Sequence, residues 1–394
     1  MGSLIDLDTA ISQSTEGIAP LGEVETVALA DASERVLAEA VVADRDLPPF
    51  DRAAMDGYAY RYEDRSTSMP VAGTIRAGAA AEIHVPPGGC VGIATGAPLP
   101  AGCDTVVPHE LTDRGDPLQL TADPPMAGAN VHPRSADAQR GHVLIEAGQR
   151  LSAAEIGIAA MNGHQSVRVR SRPRVALLTS GDEVVPAGTD PADHQIRNSN
   201  HPMVAMLAHR GGGRCVLHRH LADEPDAVRE ALHAAAEQAD ILVTTGGISA
   251  GLHDYLPDSL EQLGCNWKFT GVAVKPGKPA RVCELSGTPV VCLPGNPVSA
   301  LVTGTLFFVP MLRSLLGLNP GPRWRPVRLA AAHSATTRRT LLRPAHLHNP
   351  DTASLPHWHG SGDLVHVAGT RGMVRLPLQE TVEAGTEVPF TRWP

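Results

Sequence analysis

From Arg174 to Leu316, short apolar runs alternate with stretches of helical periodicity, and this alternation constrains the fold more than any other feature of the chain. Val175-Ala-Leu-Leu178 reads as a buried strand, Pro202 to Ala208 as a helix and Cys215-Val-Leu-His218 as the next strand. Asp226 to Gln238 then reads as helix and Ile241-Leu-Val243 as strand. Pro289 to Leu293 adds another strand, and Val298 to Leu316 an apolar helix that opens after a proline and stops before Gly317. Strand and helix in turn imply parallel pairing, because a crossover is needed to bring the chain back to the same edge of a sheet. The region is an α/β domain.

The remaining sequence follows other patterns. Ile5, Ala10 and Ile11 recur at helical spacing, and Asp31-Ala-Ser-Glu34 resembles a cap ahead of Val36 and Leu37, so the first forty-odd residues are expected to be helical. After Asp46, apolar runs such as Val71-Ala-Gly73 and Val106-Val-Pro108 are divided by Gly and Pro, as in a small β-domain. Ser152 to Asn162 reads as a helix opened by a Ser152/Glu155 capping box and closed by Gly163. Pro320, Pro322 and Pro326 mark a linker, after which Leu364-Val-His-Val367 and Met373-Val-Arg-Leu376 read as strands. With 394 residues the chain exceeds what one core fills. The expected layout is multidomain, α/β plus β: a helical linker domain over 1–45 completed by 139–172, an inserted β-rich domain over 46–138, the α/β domain over 173–320 and a β-domain over 321–394.

Composition excludes some partners. The net charge is −9 and no Lys/Arg run is dense enough to track a phosphate backbone, so nucleic acid is not expected. The N-terminus is neither basic nor apolar, and no segment approaches the roughly 20 apolar residues that cross a bilayer; no membrane partner and a cytoplasmic location are expected. Six cysteines are scattered singly and read as reduced, mostly buried thiols. The histidines His346, His348, His357, His359 and His366 lack a helix frame or carboxylate spacing, and are not read as a zinc site.

Ligands of parallel sheets collect where strands end, so the loops after the strands are the places to search. After Val243 comes Thr244-Thr-Gly-Gly-Ile-Ser-Ala-Gly251, which reads either as a tight turn made for packing or as a phosphate cradle. Asp254 and the Ser180-Gly-Asp182-Glu183 run place carboxylates at strand ends, where they would either cap helices or hold a hard cation such as Mg²⁺. Lys275 and Lys278 sit among prolines and glycine in Val274-Lys-Pro-Gly-Lys-Pro279, which restricts their backbone. Leu293-Pro-Gly-Asn-Pro-Val-Ser299 ends a strand and opens a helix, so its amides can face an anion. In the β-domain, Asp56 stands in the turn from Pro48 to Ala59. Together these parts suit metal-assisted chemistry on an anionic ligand.

In these stretches the chain resembles the MoeA family, which includes the catalytic E domain of gephyrin. The segments are Pro49-Phe-Asp-x-x-Ala-Met-Asp-Gly-Tyr-Ala59, Thr95-Gly-Ala-x-x-Pro-x-Gly-x-Asp104-x-Val-Val, Ser180-Gly-Asp-Glu183, Ile196-Arg-Asn-Ser-Asn200, Thr245-Gly-Gly-Ile-Ser249, Lys275-Pro-Gly-Lys-Pro279 and Leu293-Pro-Gly-Asn-Pro-Val-Ser-Ala300. They stand in family order; toward the C-terminus the likeness thins to Arg343, His359-Gly-Ser-Gly362 and Gly372-Met-Val-Arg-Leu-Pro377.

The resemblance implies a central domain like that of the MogA proteins, a C-terminal β-barrel-like domain, and a homodimer with clefts formed between subunits. It also implies the reaction, insertion of molybdate into adenylylated molybdopterin with Mg²⁺-dependent release of AMP. Molybdopterin adenylyltransferase and molybdoenzyme acceptors would be its partners. On that resemblance Glu183 and Asp254 hold the metal, with Asp182 beside them, and Lys275 and Lys278 hold oxyanions. Gly246, Gly247 and Ser249 cradle phosphate, Ser199 and Asn200 bind substrate, and Pro294, Asn296 and Ser299 shape the oxyanion turn. Asp56 and Thr95 enter from the partner's β-domain. Two departures stand out: Leu252 replaces an acidic residue common in relatives, and Arg134-Ser-Ala-Asp137 lacks the Gly-Glu of the usual Arg-x-Gly-Glu-Asp. Adenylylation of molybdopterin, or a non-catalytic scaffold role, are the competing functions.

Overall fold

The computed structural model describes residues 4–222, 224–248, 255–334, 337–378 and 380–394. The chain divides into two compact units, residues 26–169 and residues 1–25 together with 170–394.

The N-terminal helix α1, Leu7–Thr15, is shorter than the periodicity predicts. Asp6 caps it by accepting from the Thr9 amide at 3.0 Å, and Leu7 and Ala10 are buried in a core shared with Val272 and Phe307. The helix stops at Gly17, whose φ of +73° leaves the helical region, and Val24–Ala28 is already extended. Asp31-Ala-Ser-Glu34 caps nothing: it closes the short 3-10 turn Leu29–Asp31, and Glu34 at φ +62° cannot continue into a helix. Val36 and Leu37 instead bridge, antiparallel, to Arg150 and Val169.

The unit spanning 26–169 contains a four-stranded sheet of β1 (Gly57–Tyr60), β2 (Val71–Ile75), β3 (Cys90–Ile93) and β4 (Thr105–Pro108), in the order β2-β3-β1-β4. Because side chains alternate along a strand, β1 feeds Ala59 into one apolar cluster and Tyr58 and Tyr60 into another, and all three are buried. Helix α2 (Ala153–Met161) has the capping box expected of Ser152 and Glu155, with the Ser152 amide donating to the Glu155 carboxylate at 2.8 Å. It ends at Gly163, φ +80°.

In the other unit the alternation from Arg174 onward produces the expected sheet. Its elements are β5 (Arg174–Ser180), α3 (Asn200–Gly211), β6 (Arg214–Leu221), α4 (Pro225–Gln238), β7 (Ile241–Thr245), α5 (Leu256–Gln262), β8 (Asn266–Phe269), β9 (Arg281–Leu285) and β10 (Thr288–Leu293). The strand order is β6-β5-β7-β10-β9-β8. The first four strands are parallel and the last two antiparallel, which is the parallel-rich sheet that the alternation implies. Val175 and Leu177 of β5 pack on the side of α3, while Ala176 and Leu178 pack on the side of α4. Each such buried aliphatic side chain contributes roughly 1.5–3 kcal/mol. A helix from Pro297 to Leu315 closes the first side, built of α6 (Pro297–Thr303), a π-turn (Gly304–Phe308) and α7 (Val309–Leu315). It is long and apolar enough to cross a membrane, but it is 89% buried as a core helix.

The C-terminal region is a closed barrel, as the resemblance implies. Its strands β11 (Arg325–Leu329), β12 (Thr340–Asn349), β13 (Thr352–Ser354), β14 (Gly372–Leu376) and β15 (Glu387–Arg392) run β12-β13-β11-β15-β14, and β14 pairs back to β12. Leu364-Val-His-Val367 is not a strand: Val365–Val367 forms a 3-10 turn because the Asp363 carboxylate caps it, accepting from the His366 amide at 3.3 Å. Barrel and sheet are joined by Val274–Lys275, which pairs parallel with Thr340 and Leu341.

Candidate functional site

The carboxyl ends of β5, β7 and β10 open into one cleft of about 870 Å³. Its walls come from Thr179 to Gly181, Glu183 and Val184, Ile196 to Asn200, Thr245 to Ile248 and Pro294 to Pro297, with Pro279 beside them. These are the strand-end loops where parallel-sheet ligands collect. A further wall, Gly362 to Val365, comes from the barrel; the Asn296 side-chain amide donates to the Ser361 hydroxyl at 2.9 Å and the Val298 backbone amide to the Ser361 carbonyl at 3.0 Å. This wall was not singled out from sequence, because its polar residues sit in a glycine-rich loop. Its only signal was the match at His359-Gly-Ser-Gly362.

Of the expected substrate residues, Glu183, Ser199, Asn200, Gly246, Gly247, Pro294 and Asn296 all line this cleft. Asp182 stands beside it. Lys275 and Lys278 are exposed on the loop whose Pro279 forms part of the wall, without lining the cleft themselves. Ser299 lies one turn inside its helix, 4% exposed, away from the cleft lining. Ser249 and Asp254, with the Leu252 departure, lie outside the described residues.

The glycines of the Gly246-Gly247 turn are explained first by packing. Gly246 adopts φ +89° and a Cβ there would meet the Ser180 carbonyl oxygen at 2.7 Å, while at Gly247, φ +62°, it would meet the Ser180 hydroxyl at 2.9 Å. The Gly246 amide already donates to the Leu293 carbonyl at 3.3 Å, so that amide is not directed at a ligand. Gly277 likewise takes φ +109°, and a Cβ would lie 2.4 Å from the Thr303 side chain, which fixes the lysine loop against α6. Two cleft oxygens stand out: the Ser180 hydroxyl and the Asn200 side-chain carbonyl are buried and have no hydrogen-bond partner among the described residues. Buried polar atoms left this way are costly unless something completes them.

In the other unit, Asp56 and Thr95 are joined directly, the Thr95 amide donating to the Asp56 carboxylate at 2.7 Å. That bond, helped by the Thr95 side chain, holds the Asp56 carboxyl below its usual range. Asp56 lines a separate hollow of about 340 Å³ with Tyr58, Thr74, His109 and Arg114. The departing segment has a cost of its own: Ser135 occupies φ +65°, in a turn held by Arg134 on Asp46 at 2.7 Å. Burial pushes the Cys90 thiol up to about 12 and Cys103 and Cys292 up to about 11, which disfavours the thiolate at these three positions. Cys90, Cys283 and Cys292 are buried, Cys103 and Cys265 partly so, and Cys215 is exposed.

Comparison with known proteins agrees with this geometry. Residues 5–163 match the MoeA N-terminal region (domain I and II), and residues 176–314 match a probable molybdopterin binding domain. A molybdopterin molybdenumtransferase of Nostoc sp. is 35% identical over 94% of this chain and 89% of its own. Molybdopterin molybdenumtransferase 2 of Mycobacterium tuberculosis is 35% identical over 92% of this chain and 93% of its own. The crystal structure of a molybdopterin biosynthesis moeA protein from Pyrococcus horikoshii OT3 superposes with a TM-score of 0.86 at 25% identity, covering 99% of this chain and 100% of that one.

Proposed function

The chain belongs to the MoeA family, and from that premise we propose that it inserts molybdate into adenylylated molybdopterin, with Mg²⁺-dependent release of AMP, to give molybdenum cofactor. The observation that supports this reading best is the convergence of Glu183, Asn200, Gly247 and Asn296 on one cleft at the sheet's carboxyl end. Both substrates are anions, so a site for them needs donors and cations near a hollow of this size.

The donor set suits a hard cation. The Glu183 carboxylate and the two unpartnered oxygens of Ser180 and Asn200 are all oxygen ligands, which Mg²⁺ takes in preference to nitrogen or sulfur. When bound, Mg²⁺ would supply charge neutralisation on the phosphate oxygens. Motif match makes Asp254 the second carboxylate and Ser249 part of the phosphate turn. Lys275 and Lys278, exposed at the loop beside the cleft, would draw the oxyanions in as point charges. The chain is proposed to act as a cytoplasmic homodimer, with Asp56 and Thr95 completing the partner's cleft.

The test is molybdate-dependent AMP release from adenylylated molybdopterin by the full chain. Glu183→Ala, Lys275→Ala and Asp56→Ala are expected to abolish release without unfolding the protein, and unchanged turnover in all three would refute the assignment. Consumption of ATP with unmodified molybdopterin would point to adenylylation instead. If clefts are shared, mixing Asp56→Ala with Glu183→Ala chains restores part of the activity, because one of the mixed dimer's sites then has both residues intact; no restoration argues against sharing.

A further inference from the structure

We propose that His357, His359 and His366 form a site for one transition-metal dication of the Zn²⁺ type, with Asp363 as the carboxylate that orients two of the three ligands. The site is distinct from the Mg²⁺ position and does not depend on the reaction assigned above.

Each of these histidines offers a ring nitrogen, and the three nitrogens lie within 4.8 Å of one another. The ring centroids are 4.6, 5.2 and 6.1 Å apart. Tetrahedral ligands about 2.0–2.1 Å from Zn²⁺ stand roughly 3.4 Å apart, so the three rings need draw only slightly closer to hold an ion, and all three residues are exposed. The donors are imidazoles without a thiolate. Such a set selects Zn²⁺, Ni²⁺, Cu²⁺ or Co²⁺ over Mg²⁺, which requires oxygen.

The second observation is Asp363. One carboxylate oxygen lies 3.1 Å from the His359 Nδ1 and the other 2.8 Å from the His366 Nδ1. Ring nitrogens held by a carboxylate carry the proton, which leaves both Nε2 lone pairs for the ion; histidine ligands are commonly held this way. The sequence alone placed no carboxylate against these rings; the 3-10 turn after Asp363 brings it there. With three protein ligands the fourth position is open to water or an anion. Asp363 lines the large cleft, and His357 lines a second hollow of about 460 Å³ with His333 and Arg343. An ion here would therefore brace the barrel segment that walls the cleft.

The experiment is calorimetric titration of the full chain with ZnCl₂ in excess Mg²⁺ at pH 7.5, alongside Co²⁺ loading read by visible absorption. One equivalent of Zn²⁺ is expected, with a tetrahedral Co²⁺ spectrum. His359→Ala and His366→Ala lose both signals, Asp363→Asn weakens Zn²⁺ binding by about 10–100-fold, and His348→Ala, outside the cluster, changes neither. Circular dichroism identifies any variant that has failed to fold. Absence of Zn²⁺ binding, or binding that survives in folded His359→Ala and His366→Ala, overturns the proposal.

Discussion

Asn200 donates a 2.7 Å hydrogen bond from its side-chain amide to the carbonyl of Gly295, tying the start of α3 to the loop that opens α6. Both residues line the cleft, and the same side chain presents its buried, unpartnered oxygen. Asn200→Ala should lose about 1–2 kcal/mol of stability and lower kcat/KM for AMP release by tenfold or more. Steady-state kinetics beside a urea titration check both parts; a variant that loses stability but keeps its kinetics removes Asn200 from the site.

Gly246 is held where no side chain fits. Gly246→Ala must accept both φ +89° and a contact of 2.7 Å with the Ser180 carbonyl, together about 2–4 kcal/mol. Gly264 has φ +77° and open space around it, so Gly264→Ala should cost only the backbone part, about 1–2 kcal/mol. Equal urea midpoints for the two variants would show that Ser180 does not crowd the turn.

Ser135 carries the opposite expectation. Its φ of +65° costs a non-glycine residue about 1–2 kcal/mol, and glycine's greater freedom in the unfolded chain returns about 0.5–1 kcal/mol of that. Ser135→Gly should therefore raise the stability of the 26–169 unit slightly, by about 0.5–1 kcal/mol. Thermal unfolding of the variant decides the sign.

The rings of His201 and His218 stack at 3.4 Å, 5° from parallel. Burial, then the neighbouring His201 and His220, depress the His218 imidazole to about 4, and burial lowers His201 as well. A histidine depressed on folding favours the fold while neutral: its contribution is present above the unfolded value of about 6.5 and is lost as pH falls toward 4. NMR titration should give a His218 midpoint near 4, moving upward in His201→Ala. A midpoint near 6.5 in the unaltered protein would contradict the stacked geometry.

How much of this was legible in the sequence depended on which forces set each segment. The parallel strands and their helices were readable because Val175, Leu177, Ile241 and Val243 are buried by the same period that marks them. β8 was not, since Asn266-Trp-Lys-Phe269 is half exposed and mixes charge with apolar groups. The cleft loops were legible as motifs and as strand ends. The reason for their glycines was not, because crowding by Ser180 exists only between elements distant in the chain. The C-terminal histidines were conspicuous in the sequence but were not read as a zinc site, for the same reason: the Asp363 contacts to His359 and His366 depend on a turn that reads as a strand.

One wall of the cleft comes from Gly362 to Val365, far along the chain from the strand ends that form the rest. During synthesis, every sheet loop leaves the ribosome before that wall exists. A nascent or prematurely terminated chain would thus carry an open hollow with the Asn296 amide lacking its Ser361 acceptor, and competence for binding would arrive late, with the closing of the barrel.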